Sequence, residues 1–521
     1  MSPHTHRHSS HLVLAAVATG LALAGPTAAQ GTPASAVRST ATAPFPNFES
    51  SPVHSLLLSP DGERLYVLNT PDARVEIYNV KLDAQRQVHL AYKTSVFTGL
   101  EPVSMALSPD DPGHLFVANL LSDSVSVVDL QTLGVVATIP AGDEPQDVLV
   151  EGGLLYVATA RSAAAPDLVQ PGAFVDNAVV VAQAEAPYAI LQRVAVPGHK
   201  PRALVSAGGA IHVIPQDSGN HTTVINAFDA DQVGLSQLVL DAYDQPFELN
   251  PALAMPDFGT LGWLNTSFGV FGWMIPQTGR VVFDHEFPAF VPQLQDADII
   301  ALAPGTGALL PDPVTGVGTT LFAVARNPLT GDLWVANTDA GNRTRFEPAL
   351  AGRALGNRVT IAAPQGAVKQ IIELKAPTTA AEHAQPVALA FYDGAAGASA
   401  FVSCLGDSTV VQLDAASGAV LDEFSTGPLP MGLAVDSSRG LLFVHCRGNQ
   451  TVRAYDILDG NAPASRPRAL ACEPEPQGVV AGRTHLYDAS ASSGAGTGNM
   501  SCASCHISGH GDFVAWDLGN P

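Results

Sequence analysis

The chain is poor in the features that mark several common protein classes. Cysteine occurs five times in 521 residues, too few for a disulfide scaffold. Basic residues are outnumbered 48 to 25 by acidic ones, which argues against nucleic acid and anionic membrane surfaces as partners. No stretch beyond residue 29 approaches the roughly 20 apolar residues of a membrane helix, so no membrane span is expected. Sustained helical periodicity is missing too, which points to an all-β chain. No Ser/His/Asp spacing, phosphate loop or paired-carboxylate motif stands out. His54, His114, His212, His383 and His445 lack metal-ligand spacing and read as surface or strand residues.

What is present begins with an export signal. A polar start containing Arg7 precedes an apolar run over residues 12–24, and Thr27-Ala28-Ala29 offers a small-residue cleavage site. Residues 1–29 are expected to be a signal peptide and 30–43 a linker. The mature protein is then periplasmic or extracellular.

A repeat fills most of the remainder. Each unit begins with Pro, enters a short apolar strand, turns, and runs into a second strand ending in Asn or a small residue. Pro52 opens PVHSLLLSPDGERLYVLN and Pro102 opens PVSMALSPDDPGHLFVAN. Further units start at Pro145, Pro201, near Thr320, at Pro386 and at Pro430. The intervals 102 to 145 and 386 to 430 are 43 and 44 residues, the length of one four-stranded propeller blade. Val125 and Val127 alternate with Ser124 and Ser126, as in a strand buried on one face. In Ser59-Pro60-Asp61-Gly62, Pro fixes φ and Gly accepts φ > 0, which is turn chemistry. Seven starts predict a seven-bladed β-propeller. Eight is the alternative, because Pro476-Gln477-Gly478-Val479-Val480 begins like another repeat.

The endings Tyr66-Val67-Leu68-Asn69, Phe116-Val117-Ala118-Asn119 and Trp334-Val335-Ala336-Asn337 resemble the YVTN-type β-propellers of exported and surface-layer proteins. The resemblance covers roughly residues 44–475 and implies the fold far more than a function, since such propellers serve as binding platforms, scaffolds and adhesion modules. Residues 229–318 break the period. This segment carries Trp263, Trp273 and Phe287-Pro288, and reads as a blade-edge loop or as a lid over one face. A second break carries Arg343, Arg345, Arg353 and Arg358, either a solvated loop or an anion site. Cys404 and Cys446 end the second strands of adjacent blades, at equivalent positions that are usually too far apart for the roughly 5.5 Å Cα separation of a disulfide, with a bridge as the alternative. They read as buried residues, and Cys472 has no evident partner.

The chemistry-bearing motif is Cys502-Ala503-Ser504-Cys505-His506. In a C-x-x-C-H motif the two thiols form thioether links to the haem vinyl groups, and the adjacent His ligates the iron. A zinc site of Cys502, Cys505, His506 and His510 is an alternative. So is a dithiol redox pair, although that pair calls for a βαβ context this chain lacks. The flanks, Leu486-Tyr487-Asp488 and then Ser492-Ser493-Gly494, resemble the opening of a bacterial di-haem cytochrome c peroxidase-like domain over about residues 478–521. The resemblance implies haem c, with Cys502 and Cys505 as thioether residues and His506 as proximal iron ligand. That family continues well beyond the point where this chain stops, and carries a second haem motif, so residues 476–521 look like a truncated cytochrome segment. Met500 is too close in sequence to serve as distal ligand. His510 and Asp512 alone do not make a peroxide-cleaving pocket, and no active peroxidase is expected of these 521 residues.

The expectation is thus an exported c-type cytochrome on a propeller platform that transfers electrons through a covalent haem. Its redox partner is unknown, and the propeller face is available to a small molecule or protein. The alternative is a non-redox binding propeller with a vestigial haem segment.

Overall fold

The computed structural model describes residues 49–160, 177–218, 222–226, 262–265, 271–276, 291–292, 296–340, 355–376, 382–489 and 500–509. The signal-like segment, the linker, Arg343, Arg345, Arg353, His510 and Asp512 lie outside them.

The repeat folds as expected into antiparallel meanders, nearly all of them four-stranded. Seven first strands among the described residues mark units numbered here as blades 1 to 7 in chain order; one bridge, Asp217 to Thr320, joins blades 4 and 5 into a single seven-stranded sheet. The first strands are Leu56–Leu58, Pro102–Leu107, Pro145–Glu151, His199–Ala207, Thr320–Arg326, Pro386–Gly394 and Pro430–Asp436. Each first strand touches the next, and the last touches the first, so these strands form a closed ring. The architecture is a β-propeller.

Packing repeats that order. Tyr66, Leu68 and Ile77 of blade 1 meet Met105, Leu115 and Val117 of blade 2. Trp334 and Val359 of blade 5 meet Val402 and Val411 of blade 6. Leu441, Phe443 and Val452 of blade 7 meet Leu56, Leu65 and Val67 of blade 1, which closes the circle. Because every sheet is sandwiched between two others, its middle strands are buried on both faces. This corrects the one-face reading of residues 124–127. Val125 and Val127 pack toward blade 3, whereas Ser126 is also buried, and its hydroxyl accepts from Asn119 Nδ2 at 3.0 Å. The terminal Asn of the repeat has the same role elsewhere: Asn69, Asn119 and Asn337 are all fully buried and tie the end of a second strand to its surroundings.

Local turn chemistry behaves as read. Gly62 has φ +72° and its N–H donates to the Ser59 carbonyl at 2.8 Å. Cys404 and Cys446 are buried and, like the other three cysteines, outside any disulfide. Arg358 belongs to a strand, Leu355–Ala362, and pairs with Asp339 at 2.9 Å, so it is neither loop nor free anion site.

Two segments differ from the expectation. The period-breaking region leaves blade 4 after Ala210–Asp217 and rejoins it at Ile300–Leu302, which pairs with the same strand. Between them, Thr222–Asn226, Gly262–Asn265, Phe271–Pro276 and Val291–Pro292 form a separate four-stranded sheet. The eighth repeat start is no strand: Gln477–Tyr487 is an α-helix. No helix among the described residues is long and apolar enough to cross a membrane.

Candidate functional site

First strands enter the ring through a shared irregularity. In blades 2 to 7 the register shifts just after the strand begins, leaving Val103, Gln146, Arg202, Phe322, Val387 and Met431 as bulged residues. Such bulges re-aim a side chain away from the ladder. The residue before Pro is left-handed in five blades, at Glu101, Glu144, Lys200, Gln385 and Leu429. The turn thus repeats around one axial mouth of the propeller.

The C-terminal segment sits on that mouth, over blades 5 to 7. Ala503 and Ile507 are buried against Phe322, Val387, Leu405, Leu429, Met431 and Tyr487. Gln385 Nε2 donates to Ser504 Oγ at 3.4 Å, and the Ala489 N–H donates to the Gly406 carbonyl at 3.0 Å. Only glycine fits at 406, since a Cβ would lie 2.8 Å from Ala384 and 3.0 Å from Ala489.

Charge fixes the helix beneath it. Glu475 accepts from Arg447 Nη1 at 2.9 Å and from Arg483 Nη1 at 3.0 Å, and Arg483 Nε donates to Glu49 at 2.8 Å. Tyr487 Oη donates to the same Glu49 at 3.2 Å. Burial alone would push the Glu475 carboxyl up. Arg447 and Arg483 overcome this and hold it below its ordinary value. Glu101 is placed differently: burial pushes it up to about 7, with Arg447 offsetting only part.

The motif residues lie on two short 3₁₀ turns, Cys502–Ser504 and Ile507–Gly509. The intervening Ala503 and Ser504 face the propeller, each 1% exposed. Cys502 and His506 are exposed and Cys505 half-buried. Spacing explains this, because in so tight a turn the residues at either end of C-x-x-C leave on the side opposite the pair between them. Among the described residues no three His, Cys, Asp or Glu side chains converge as a shared metal would require. A c-type haem asks the motif for only one iron ligand, and the exposed His506 fits that demand.

A second group of residues escaped the sequence reading. His54 Nδ1 lies 3.0 Å from Asp147 Oδ1 and 3.3 Å from Ser104 Oγ, and Ser104 Oγ donates to that same carboxylate oxygen at 2.5 Å. These three residues come from blades 1, 2 and 3. Each stands two positions after the Pro that opens its repeat, Pro52, Pro102 and Pro145. That alignment was the available signal. The arrangement is not a hydrolytic triad, because Ser104 and Asp147 share one ring nitrogen instead of flanking the imidazole.

The fold is that of the β-propellers. No protein-family model matches the chain, and no curated protein matches it. Among solved structures, hydrazine synthase of Kuenenia stuttgartiensis is similar in fold, with TM-score 0.53 and 16% identity over 80% of this chain and 97% of that one. A β-propeller domain of Cps50 (Swd1) from Myceliophteria thermophila matches with TM-score 0.43 and 9% identity, over 79% of this chain and 99% of its own.

Proposed function

We propose that this chain is an exported c-type cytochrome whose seven-bladed propeller carries one haem on an axial mouth and passes electrons to a partner protein. The observation that carries the reading is the exposure of Cys502 and His506 on a turn anchored by Ala503, Ser504 and Ile507. Cys502 and Cys505 would hold the porphyrin through thioethers and His506 would ligate the iron. Bound haem supplies a one-electron carrier. The chain's own contribution is placement: the Glu49–Arg483–Glu475–Arg447 cluster holds the helix, and the apolar plug seats the motif against a rigid ring. The acidic excess, with formal net charge −23, favours a basic redox partner over nucleic acid.

Protein matured in a host that exports and attaches haem should show a c-type absorbance spectrum that survives denaturation. Cys502→Ala combined with Cys505→Ala should abolish it. A colourless protein that binds stoichiometric zinc instead would overturn the reading.

A further inference from the structure

One histidine ties together the turns on which the C-terminal segment rests. His383 lies just before the first strand of blade 6, and it is buried. Its Nδ1 is 2.6 Å from Asp407 Oδ2, in the turn after the second strand Gly397–Cys404. Its Nε2 is 2.9 Å from Glu423 Oε2, in the outer strand Val420–Ser425. A carboxylate only accepts, and a neutral imidazole donates from one nitrogen alone. Both contacts are therefore hydrogen bonds only when the ring carries two protons. The other Asp407 oxygen, Oδ1, is buried with no hydrogen-bond partner among the described residues, so this carboxylate depends on the ring.

Both clasped turns reach the C-terminal segment. The carbonyls of Ala384 and Gln385, which follow His383, accept from the Gly406 and Leu405 N–H groups, each at 2.9 Å. Gly406, next to Asp407, takes the Ala489 N–H on its carbonyl at 3.0 Å. Leu405 packs in the apolar plug with Ala503 and Ile507, and Gln385 Nε2 donates to Ser504 Oγ. His383 thus braces two stretches, 383–385 and 405–407, against each other, and residues 489 and 503–507 sit on them.

We propose that His383 is a positioning residue for the motif-bearing turn, an imidazolium latch that holds residues 500–509 on the mouth while protonated and loosens them when it loses its proton. A haem on that turn rests on the proposed function; the latch itself stands without it. The charged groups facing the ring are Asp407 and Glu423, and the Cys404 thiol faces Asp407 in turn, kept protonated by burial. Burial lowers the proton affinity of the imidazole, but the two carboxylates more than restore it, so it titrates above its ordinary 6.5. With the folded value raised, the latch is fully engaged below 6.5 and is lost as pH rises through that folded value. Its sign is opposite to that of Glu475, whose contribution fails in acid.

The test compares the full chain with and without His383→Gln, both carrying Cys502→Ala and Cys505→Ala so that no haem intervenes. Hydrogen exchange is followed at pH 6 and pH 9 and corrected for intrinsic rates. With His383 present, residues 484–489 and 500–509 should lose protection about tenfold across that interval, while blades 2 and 3 keep theirs. With His383→Gln the segment should be loose at both pH values. Glu101 titrates in both proteins, so the difference between the profiles isolates His383. Asp407→Asn removes one of the two carboxylates and should move the loss to lower pH. Equal pH profiles with and without His383 overturn the proposal. Should His383→Gln fail to fold, ¹⁵N-labelled histidine decides: both ring nitrogens of His383 protonated at pH 6 support the latch, and a neutral ring there overturns it. A wild-type chain that takes up no haem yet keeps this pH-dependent protection counts against the haem reading alone.

Discussion

Glu101 is a buried carboxyl in the left-handed turn before Pro102, close to Glu49 and Glu475 and partly offset by Arg447. Its folded value of about 7 exceeds the ordinary 4.5. The folded state therefore binds more protons between those limits, and stability falls as pH rises from about 4.5 to 7. A shift of this size corresponds to about 3 kcal/mol lost by pH 8. Glu101→Gln removes the titration, so the variant should be the more stable form at pH 8 and nearly equal to wild type at pH 4.5. Urea unfolding at the two pH values checks this; parallel pH profiles for the two proteins would refute it. Residue chemistry of this kind was barely legible in the sequence. The Cys502–His506 motif is contiguous and could be picked out directly. Glu101, His54, Ser104 and Asp147 acquire their roles from places that only the ring brings together.

Elements were easier to read, because turn and strand chemistry are local. The Ser59-Pro60-Asp61-Gly62 turn and the strand endings at Asn69 and Asn119 appear where the pattern put them. The misreadings share a cause: what surrounds an element is not encoded in its own residues. Ser124 and Ser126 looked solvent-facing because the blade that covers them lies elsewhere in the chain. Gln477–Tyr487 looked like a strand start because Val479-Val480 is a β-type pair, and the helix buries only Arg483 and Tyr487. Ion pairs hold it instead, and that defines a prediction. Glu475→Ala leaves Arg447 and Arg483 buried without their shared carboxylate, a loss of about 3–5 kcal/mol. The C-terminal segment should then be released, with trypsin cleaving within residues 476–509 while far-UV circular dichroism of the propeller persists. Acid should do the same. A carboxylate held below its ordinary value stabilises the folded state above about 4.5, and that contribution vanishes as pH falls through the depressed value. Retained protease resistance in Glu475→Ala would show that the apolar plug suffices alone.

At the scale of the whole molecule, the repeat starts announced the propeller, but nothing in them told how its ends join. Among the described residues no sheet combines strands from the two ends of the chain, so closure rests on contacts between blades 7 and 1. Two of the polar contacts across this seam lie at different depths. Arg86 pairs with Asp456 at the rim, with Arg86 37% exposed. Glu76 is fully buried in blade 1: its carboxylate accepts from the Ala471 N–H at 2.9 Å, from Asn69 Nδ2 at 2.8 Å and from Tyr78 Oη at 2.5 Å. Solvent screening limits an exposed pair to roughly 0–1 kcal/mol, whereas each buried donor orphaned by losing its acceptor costs about 1–3 kcal/mol. Arg86→Ala should therefore barely move the unfolding midpoint, and Glu76→Ala should lower stability by about 3 kcal/mol or more. Stacked repeats couple through nearest neighbours, so the damage should also be local. Hydrogen exchange should quicken first in residues 56–97 and 430–471, on either side of the seam, while blades 3 and 4 keep their protection. Uniform loss of protection around the ring, or equal effects from the two substitutions, would mean that closure is carried by the apolar contacts of Leu441, Phe443 and Val67 and that Glu76 contributes no more than any other buried polar group.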